Sequence, residues 1–191
     1  MQSPLKTLPL SAIFLLTLLV SGCTTNQGNT NDEKRQFIMA MKNDVLTELF
    51  QKKPSARSVV NNASGYAVFS NANVNLIFAS FGGGYGLAKN MRTGEHTYMK
   101  MGEVGLGLGA GVKDFRIVMV FHSEAALNNF INNGWSFGGQ ADAAAKAGDK
   151  GAGIGGEAVI NGVTVYQLTE SGLALQATIK GTKFWKDEAL N

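Results

Sequence analysis

Apolar side chains recur at Phe37, Ile38, Met41, Val45, Leu49 and Phe50, a spacing of three to four residues. That period predicts a helix with one face against a core. Gln36, Asn43, Asp44, Thr47 and Gln51 form the opposite arc. Thr30-Asn31-Asp32-Glu33 matches a capping box, with Thr30 as the cap and Glu33 reaching back. The helix should run to about Lys53, where Pro54 helps to end it. Asp32 and Glu33 at its start and Lys52 and Lys53 at its end suit the helix dipole. A second short helix is expected over residues 55–62.

From Gly65 onward strands are predicted. Tyr66-Ala67-Val68-Phe69 is one, and residues 77–88 form a second that contains Gly82-Gly83-Gly84-Tyr85-Gly86. Arg92-Thr93-Gly94 is a turn signal, with residues 96–101 pairing across it. The stretch from Gly105 to Gly111 follows, and Lys113-Asp114 is expected to turn the chain into a buried strand at residues 116–121. Ser123 can cap a short helix whose inner face carries Leu127, Phe130 and Ile131. Residues 137–146 and 151–160 are expected to form a hairpin about Gly148-Asp149-Lys150. Asn161-Gly162 is the strongest hairpin turn in the chain, with a strand over residues 163–168 beyond it and another over 173–179. The expected class is α+β, with N-terminal amphipathic helices packed on a glycine-rich, mostly antiparallel sheet or open β-barrel.

Glycines recur at every second residue in three places: Gly82, Gly84 and Gly86; Gly105, Gly107, Gly109 and Gly111; Gly151, Gly153 and Gly155. In a strand that period places each set on one face. The face can then accept a close backbone, a bend or a ligand groove. Sheet curvature and close packing are the first reading, and a glycine-lined lipid groove is the alternative. No stretch completes G-x-x-x-x-G-K-[ST], nor G-x-G-x-x-G between a strand and a helix, so phosphate-loop nucleotide binding is set aside.

The start of the chain has a different character. Residues 10–20 (LSAIFLLTLLV) are an apolar run behind a single cation, Lys6. The run fits the core of a signal peptide and is too short to cross a bilayer as a helix. Leu19-Val20-Ser21-Gly22-Cys23 resembles the bacterial lipobox. That resemblance implies diacylglyceryl transfer to the Cys23 sulfur, cleavage after Gly22 and acylation of the new amine. Thr24, in place of Asp, favours the outer membrane facing the periplasm by analogy with enterobacterial sorting. Residues 24–31 (TTNQGNTN) are small and polar and read as a linker of at most about 26–29 Å. Residues 1–22 are thus expected to be a lipoprotein signal peptide, 23–31 a flexible tether and 32–191 a single domain.

Composition narrows the function mainly by exclusion. The chain has 191 residues, 45% of them hydrophobic and 16% charged, with 24 glycines. The net charge is +3, or +2 once Lys6 is removed, too small to point to nucleic acid. Cys23 is the single cysteine, so neither a disulfide within the chain nor a cysteine zinc site can form. His96 and His122 are far apart in sequence, and both read as surface or satisfied core residues. Glu95, Glu103, Asp142, Asp149 and Glu157 are scattered, with no spacing that pairs an acid with a base. No catalytic residue, metal site, cofactor or small-molecule substrate is expected, and the chain is not expected to be an enzyme.

Residues 54–69 (PSARSVVNNASGYAVF), 81–87 (FGGGYGL), 134–148 (GWSFGGQADAAAKAG) and 166–184, with Glu170-Ser171-Gly172-Leu173 and Lys180-Gly181-Thr182, resemble in order the segments of the SYLF family of lipid-binding domains. The resemblance spans about residues 32–184. It implies an α+β fold with a barrel-like core and binding of membrane lipid, phosphoinositides in eukaryotic members and anionic phospholipids here. It also implies lipid contact through the N-terminal helix and its cations, which would be Lys34, Arg35, Lys42, Lys52 and Lys53, with Arg57 just beyond. The polar arc of this helix is mostly uncharged, however, and the cations gather toward its ends. The expected partners are therefore membrane lipids. The alternative is a structural or partner-binding envelope lipoprotein that contacts another protein and has no lipid ligand.

Overall fold

The computed structural model describes residues 28–75, 80–105, 111–137, 157–160, 162–169, 172–173 and 182–191. The leader, Cys23, the hairpin expected about Gly148-Asp149-Lys150 and most of the strand expected over 173–179 lie outside these residues, as do Gly107, Gly109, Gly151, Gly153 and Gly155.

The described residues form three helices and nine strands: α1 (Asn31–Lys52), α2 (Ala56–Asn61), β1 (Gly65–Asn75), β2 (Ser80–Asn90), β3 (His96–Gly105), β4 (Gly111–Phe121), α3 (Glu124–Asn133), β5 (Trp135–Phe137), β6 (Glu157–Ile160), β7 (Val163–Thr169), β8 (Gly172–Leu173) and β9 (Thr182–Lys186). The strands make one sheet in the order β5-β9-β3-β2-β1-β4-β7-β6, with β8 also on β7. Every pairing is antiparallel. Among the described residues no ladder joins β5 to β6. The fold is α+β with an open antiparallel sheet.

Local chemistry accounts for the element ends. Glu33 N donates to Thr30 Oγ1 at 3.2 Å, and Thr30 N donates to Glu33 Oε2 at 3.0 Å, so the capping box closes in both directions. Ser123 Oγ accepts from Ala126 N at 3.2 Å and opens α3. Gly162 takes φ 76°, and Ile160 pairs with Val163 across the two-residue turn. Lys113-Asp114 is not a turn. Both residues belong to β4, where Asp114 pairs with Ala72 and Lys113 with Asn73. Both lie inside an eleven-residue ladder with β1, and the pairing of the whole strand outweighs the weak strand preference of Lys and Asp.

The two faces of the sheet bury different cores. On one, Phe69, Met99, Met101, Ile117, Met119, Phe121, Val165 and Phe184 pack with Leu127 and Phe130 of α3. Phe130 sits among the rings of Phe69, Phe121, Trp135 and Phe184, at centroid distances of 6.2, 5.0, 6.3 and 5.9 Å. On the other face, Tyr66, Val68, Val118, Val120, Tyr166 and Leu168 pack with Val45 and Leu49 of α1 and Ala56 and Val60 of α2. Ile38 meets Leu87 and Leu190 beside that second core.

The β2 glycines serve the first face. A Cβ on Gly84 would lie 2.7 Å from Met101 Cγ, and one on Gly86 would lie 2.8 Å from Phe69 Cγ and closer still to the Val68 carbonyl. These glycines admit the neighbouring side chains, as the close-packing reading expected. Gly83 points the other way, and a Cβ there would meet nothing within 4 Å.

Candidate functional site

The face beneath α1 is best followed as rows of residues directly opposite one another across the ladders, because such residues share a face. The middle row is Val118, Val68, Leu87 and Tyr98. Its three aliphatic members are fully buried, and Tyr98 packs beside them in the Ile38 cluster. One step toward the far end of the sheet is Arg116, Ser70, Tyr85, Lys100 and Trp185. One step the other way is Val120, Tyr66, Lys89 and His96.

The Arg116–Trp185 row borders a groove of about 360 Å³ lined by Phe37, Ala40, Met41, Asp44, Val45, Glu48, Tyr85 and Arg116. Phe37 stands over Tyr85 with ring centroids 5.3 Å apart. Phe37 is 40% exposed and Trp185 39%, and these are the two large apolar side chains left open among the described residues. Trp185 lies over Gly102, where a Cβ would come within 3.1 Å of its ring. Glu48 bridges the groove mouth, ion-paired to Arg116 and, at 2.8 Å, to Lys52. Burial by itself would raise the Glu48 carboxyl, but the hydrogen bonds and charges of Lys52 and Arg116 together outweigh it and hold the group below its usual range. Lys100 pairs with Asp187 at 3.0 Å while remaining 48% exposed.

The six cations suggested by the sequence do not form one patch. Lys34 and Arg35 are at the helix start, where Arg35 donates to Asp32 at 2.7 Å and to the Leu190 carbonyl at 2.8 Å. Lys52, Lys53 and Arg57 gather near the other end. There Lys53 lies over the Tyr166 ring at 5.9 Å and Arg57 over Phe50 at 4.4 Å. Lys42 joins neither group. It is 8% exposed and continues the buried stripe Ile38, Val45 and Leu49. Phe37, expected on the core face, lies at its open edge. The spacing 38, 42, 45, 49 was readable in the sequence as a stripe that includes Lys42.

Arg116, Tyr85, Lys100 and Trp185 escaped sequence reasoning, since only the strand register aligns them. His96 is also corrected, because its Nε2 is enclosed without a hydrogen-bond partner. His122 is satisfied by Thr164 Oγ1, 2.8 Å from its Nε2. Among the described residues no helix is long and apolar enough to cross a membrane, which says nothing of a β-barrel, and no group of three or more His, Cys, Asp or Glu could hold a metal ion.

Residues 102–191 match the model of a family described as Ysc84, Las17-binding protein actin regulator. Beta cell expansion factor A of Aeromonas veronii is 36% identical over 161 residues. Both matches are consistent with a member of the SYLF (Ysc84) family. The aligned region covers 84% of the chain and 60% of the length of that relative. Arg116 and Trp185 fall inside the segment matched by the family model, whereas α1, Tyr85 and Lys100 precede it.

Proposed function

We propose that this protein is a SYLF-domain lipoprotein of the bacterial envelope, anchored through Cys23, whose domain binds anionic phospholipid at the periplasmic side of the outer membrane and performs no catalysis. The observation that carries the reading is the pairing of exposed aromatics with cations on one face. Trp185 is open at the end of a row that also holds Tyr85, Lys100 and Arg116, and Phe37 of α1 is open over Tyr85. Aromatic side chains with a polar surround suit the headgroup level of a bilayer, and each Lys or Arg near an anionic surface adds about 1 kcal/mol. A tether as short as residues 24–31 would hold the domain close enough for this face to reach the membrane.

Two measurements test the parts separately. Flotation of the chain lacking residues 1–23 should show binding to vesicles containing phosphatidylglycerol that weakens with salt, and little binding to phosphatidylcholine alone. Phe37→Ser with Trp185→Ser should lose most of it; equal, weak binding to both vesicle types would reject lipid recognition and favour a protein partner. For the anchor, Cys23→Ala should abolish acyl labelling and leave the precursor uncleaved. A mature wild-type N-terminus other than residue 23 would refute the lipobox assignment.

A further inference from the structure

At the opposite end of the α1 face lies a second cluster of basic groups. Lys89 and His96 are direct partners across β2 and β3, so their side chains stand side by side on this face. Lys42 of α1 is 8% exposed and lies close enough that its charge acts on His96 and the Lys89 charge acts on it. Burial pushes the Lys42 ammonium below its usual range, and the Lys89 charge pushes it further. His96 is likewise held down, first by burial and then by Lys42 and Lys89. No acid is among these influences. The ion pairs of the described residues engage Arg35, Lys52, Arg92, Lys100 and Arg116, and neither Lys42 nor Lys89. The enclosed His96 Nε2 has no partner either.

Like charges placed opposite one another destabilise a sheet, and a cation removed from water normally takes a counter-charge. Among the described residues no carboxylate is ion-paired to either lysine. Three groups converge, two lysine ammoniums and an imidazole that donates from both nitrogens once protonated, and their common complement is an anion with several acceptor oxygens. We infer that Lys42, Lys89 and His96 form a binding site for a phosphate group, either free or on a phosphomonoester lipid headgroup. The buried row Val68, Leu87 and Tyr98 separates this site from the Arg116–Trp185 row. It goes beyond the membrane-surface reading and does not depend on it.

The test follows the His96 ring by NMR across pH in the full chain, at constant ionic strength. The groups around the ring are Lys42 of α1, Lys89 of β2, Tyr66 of β1 in the same row and the neighbouring Glu95. Three probes are compared with chloride: inorganic phosphate, phosphatidylcholine vesicles containing phosphatidic acid, and phosphatidylcholine vesicles alone. Occupancy should raise the His96 pKa saturably, because a bound anion offsets Lys42 and Lys89. Lys89→Gln should weaken phosphate about tenfold, the scale of one charge-assisted hydrogen bond, while Lys89→Arg retains binding. A response to phosphate alone supports the site with a soluble ester as its ligand. A response to phosphatidic acid vesicles but not to phosphatidylcholine supports it with the headgroup as its ligand. A His96 titration that neither phosphate nor phosphatidic acid moves overturns the proposal, and this result needs no variant to fold. Capture by phosphatidic acid vesicles with His96 unmoved also overturns it, leaving membrane binding through the other row intact.

Discussion

Gly83 and Gly86 occupy one strand, point to opposite faces, and should answer the same substitution with opposite signs. In Gly86→Ala the new methyl would be driven into the Val68 carbonyl and to 2.8 Å from Phe69 Cγ. The carbonyl belongs to β1, which is paired on both sides along its whole length, and Phe69 is fully buried against Phe184 at 4.7 Å between centroids. Neither can retreat without disturbing a ladder or the core. Overpacking typically costs about 1–3 kcal/mol, and a backbone obstacle puts Gly86→Ala at the upper end, about 3 kcal/mol. For a domain of this size that is a fall in Tm of about 6–12 °C. Gly83→Ala meets open space and removes the entropic penalty of glycine in a strand, so it should stabilise by about 0.5–1 kcal/mol. Gly84→Ala should lie between Gly83→Ala and Gly86→Ala, because Met101 can swing away but the Ser70 carbonyl cannot. Urea unfolding with a shared m-value measures all three. If Gly86→Ala and Gly83→Ala fall within about 0.5 kcal/mol of each other, the glycines do not make room for the core, and the argument from their spacing fails.

Phe130→Ala should cost about 3–5 kcal/mol in the same assay, since the ring sits among four others and α3 has few further anchors. A loss under about 1 kcal/mol would mean that α3 is not held by this contact. Thr30→Ala should remove one half of the capping box and cost about 0.5–2 kcal/mol, with amide exchange increasing first at Glu33; an unchanged exchange rate there would contradict the cap. The folded state holds His96 below its ordinary value of 6.5, so between that value and the lower folded one the unfolded chain binds more protons. Its contribution is present above about 6.5 and is lost as pH falls, and His96→Gln should flatten that slope, with Lys42, Lys89, Tyr66 and Glu95 left in place. The carboxyls of Glu33 and Glu48 are held below their ordinary 4.5, so their support fades only at more acid pH, and the two windows can be separated.

The sequence made local features legible and left cross-strand ones hidden, for a physical reason. Caps, the Asn161-Gly162 signal and the glycine period are written within a few residues, and the caps close through short-range bonds, as Thr30 and Ser123 show. Lys113-Asp114 misled because turn preference is a local average, whereas the β1–β4 ladder is a sum over eleven pairs. Cations read along one helix are only part of its surroundings, because the groups that share a surface with α1 come from β2, β3, β4 and β9. Lys100 and Trp185 are 85 residues apart in the chain and direct partners across β3 and β9. No window along the chain can align them before the register is known.

Register also decides what kind of surface each row can be. Counted on the helix alone, Lys42 is one of several scattered cations. Placed near the Lys89–His96 pair, it becomes an enclosed charge with no ion-paired acid among the described residues, while Arg116 and Lys100, two rows further along the strands, have Glu48 and Asp187. The same helix therefore caps two electrostatically different rows, one whose cations share carboxylates while Lys100 stays half exposed, and one with no ion-paired acid among the described residues. A paired row can lie on a membrane with little change in the charge state of its groups. The unpaired row should bind an anion most tightly where His96 is protonated, so acidification should strengthen binding there more than at the aromatic row. Vesicle binding that rises with falling pH in the wild type but not in His96→Gln would separate the two contributions within a single molecule. Equal pH dependence in both proteins would mean that His96 and the lysines beside it take no part in membrane contact.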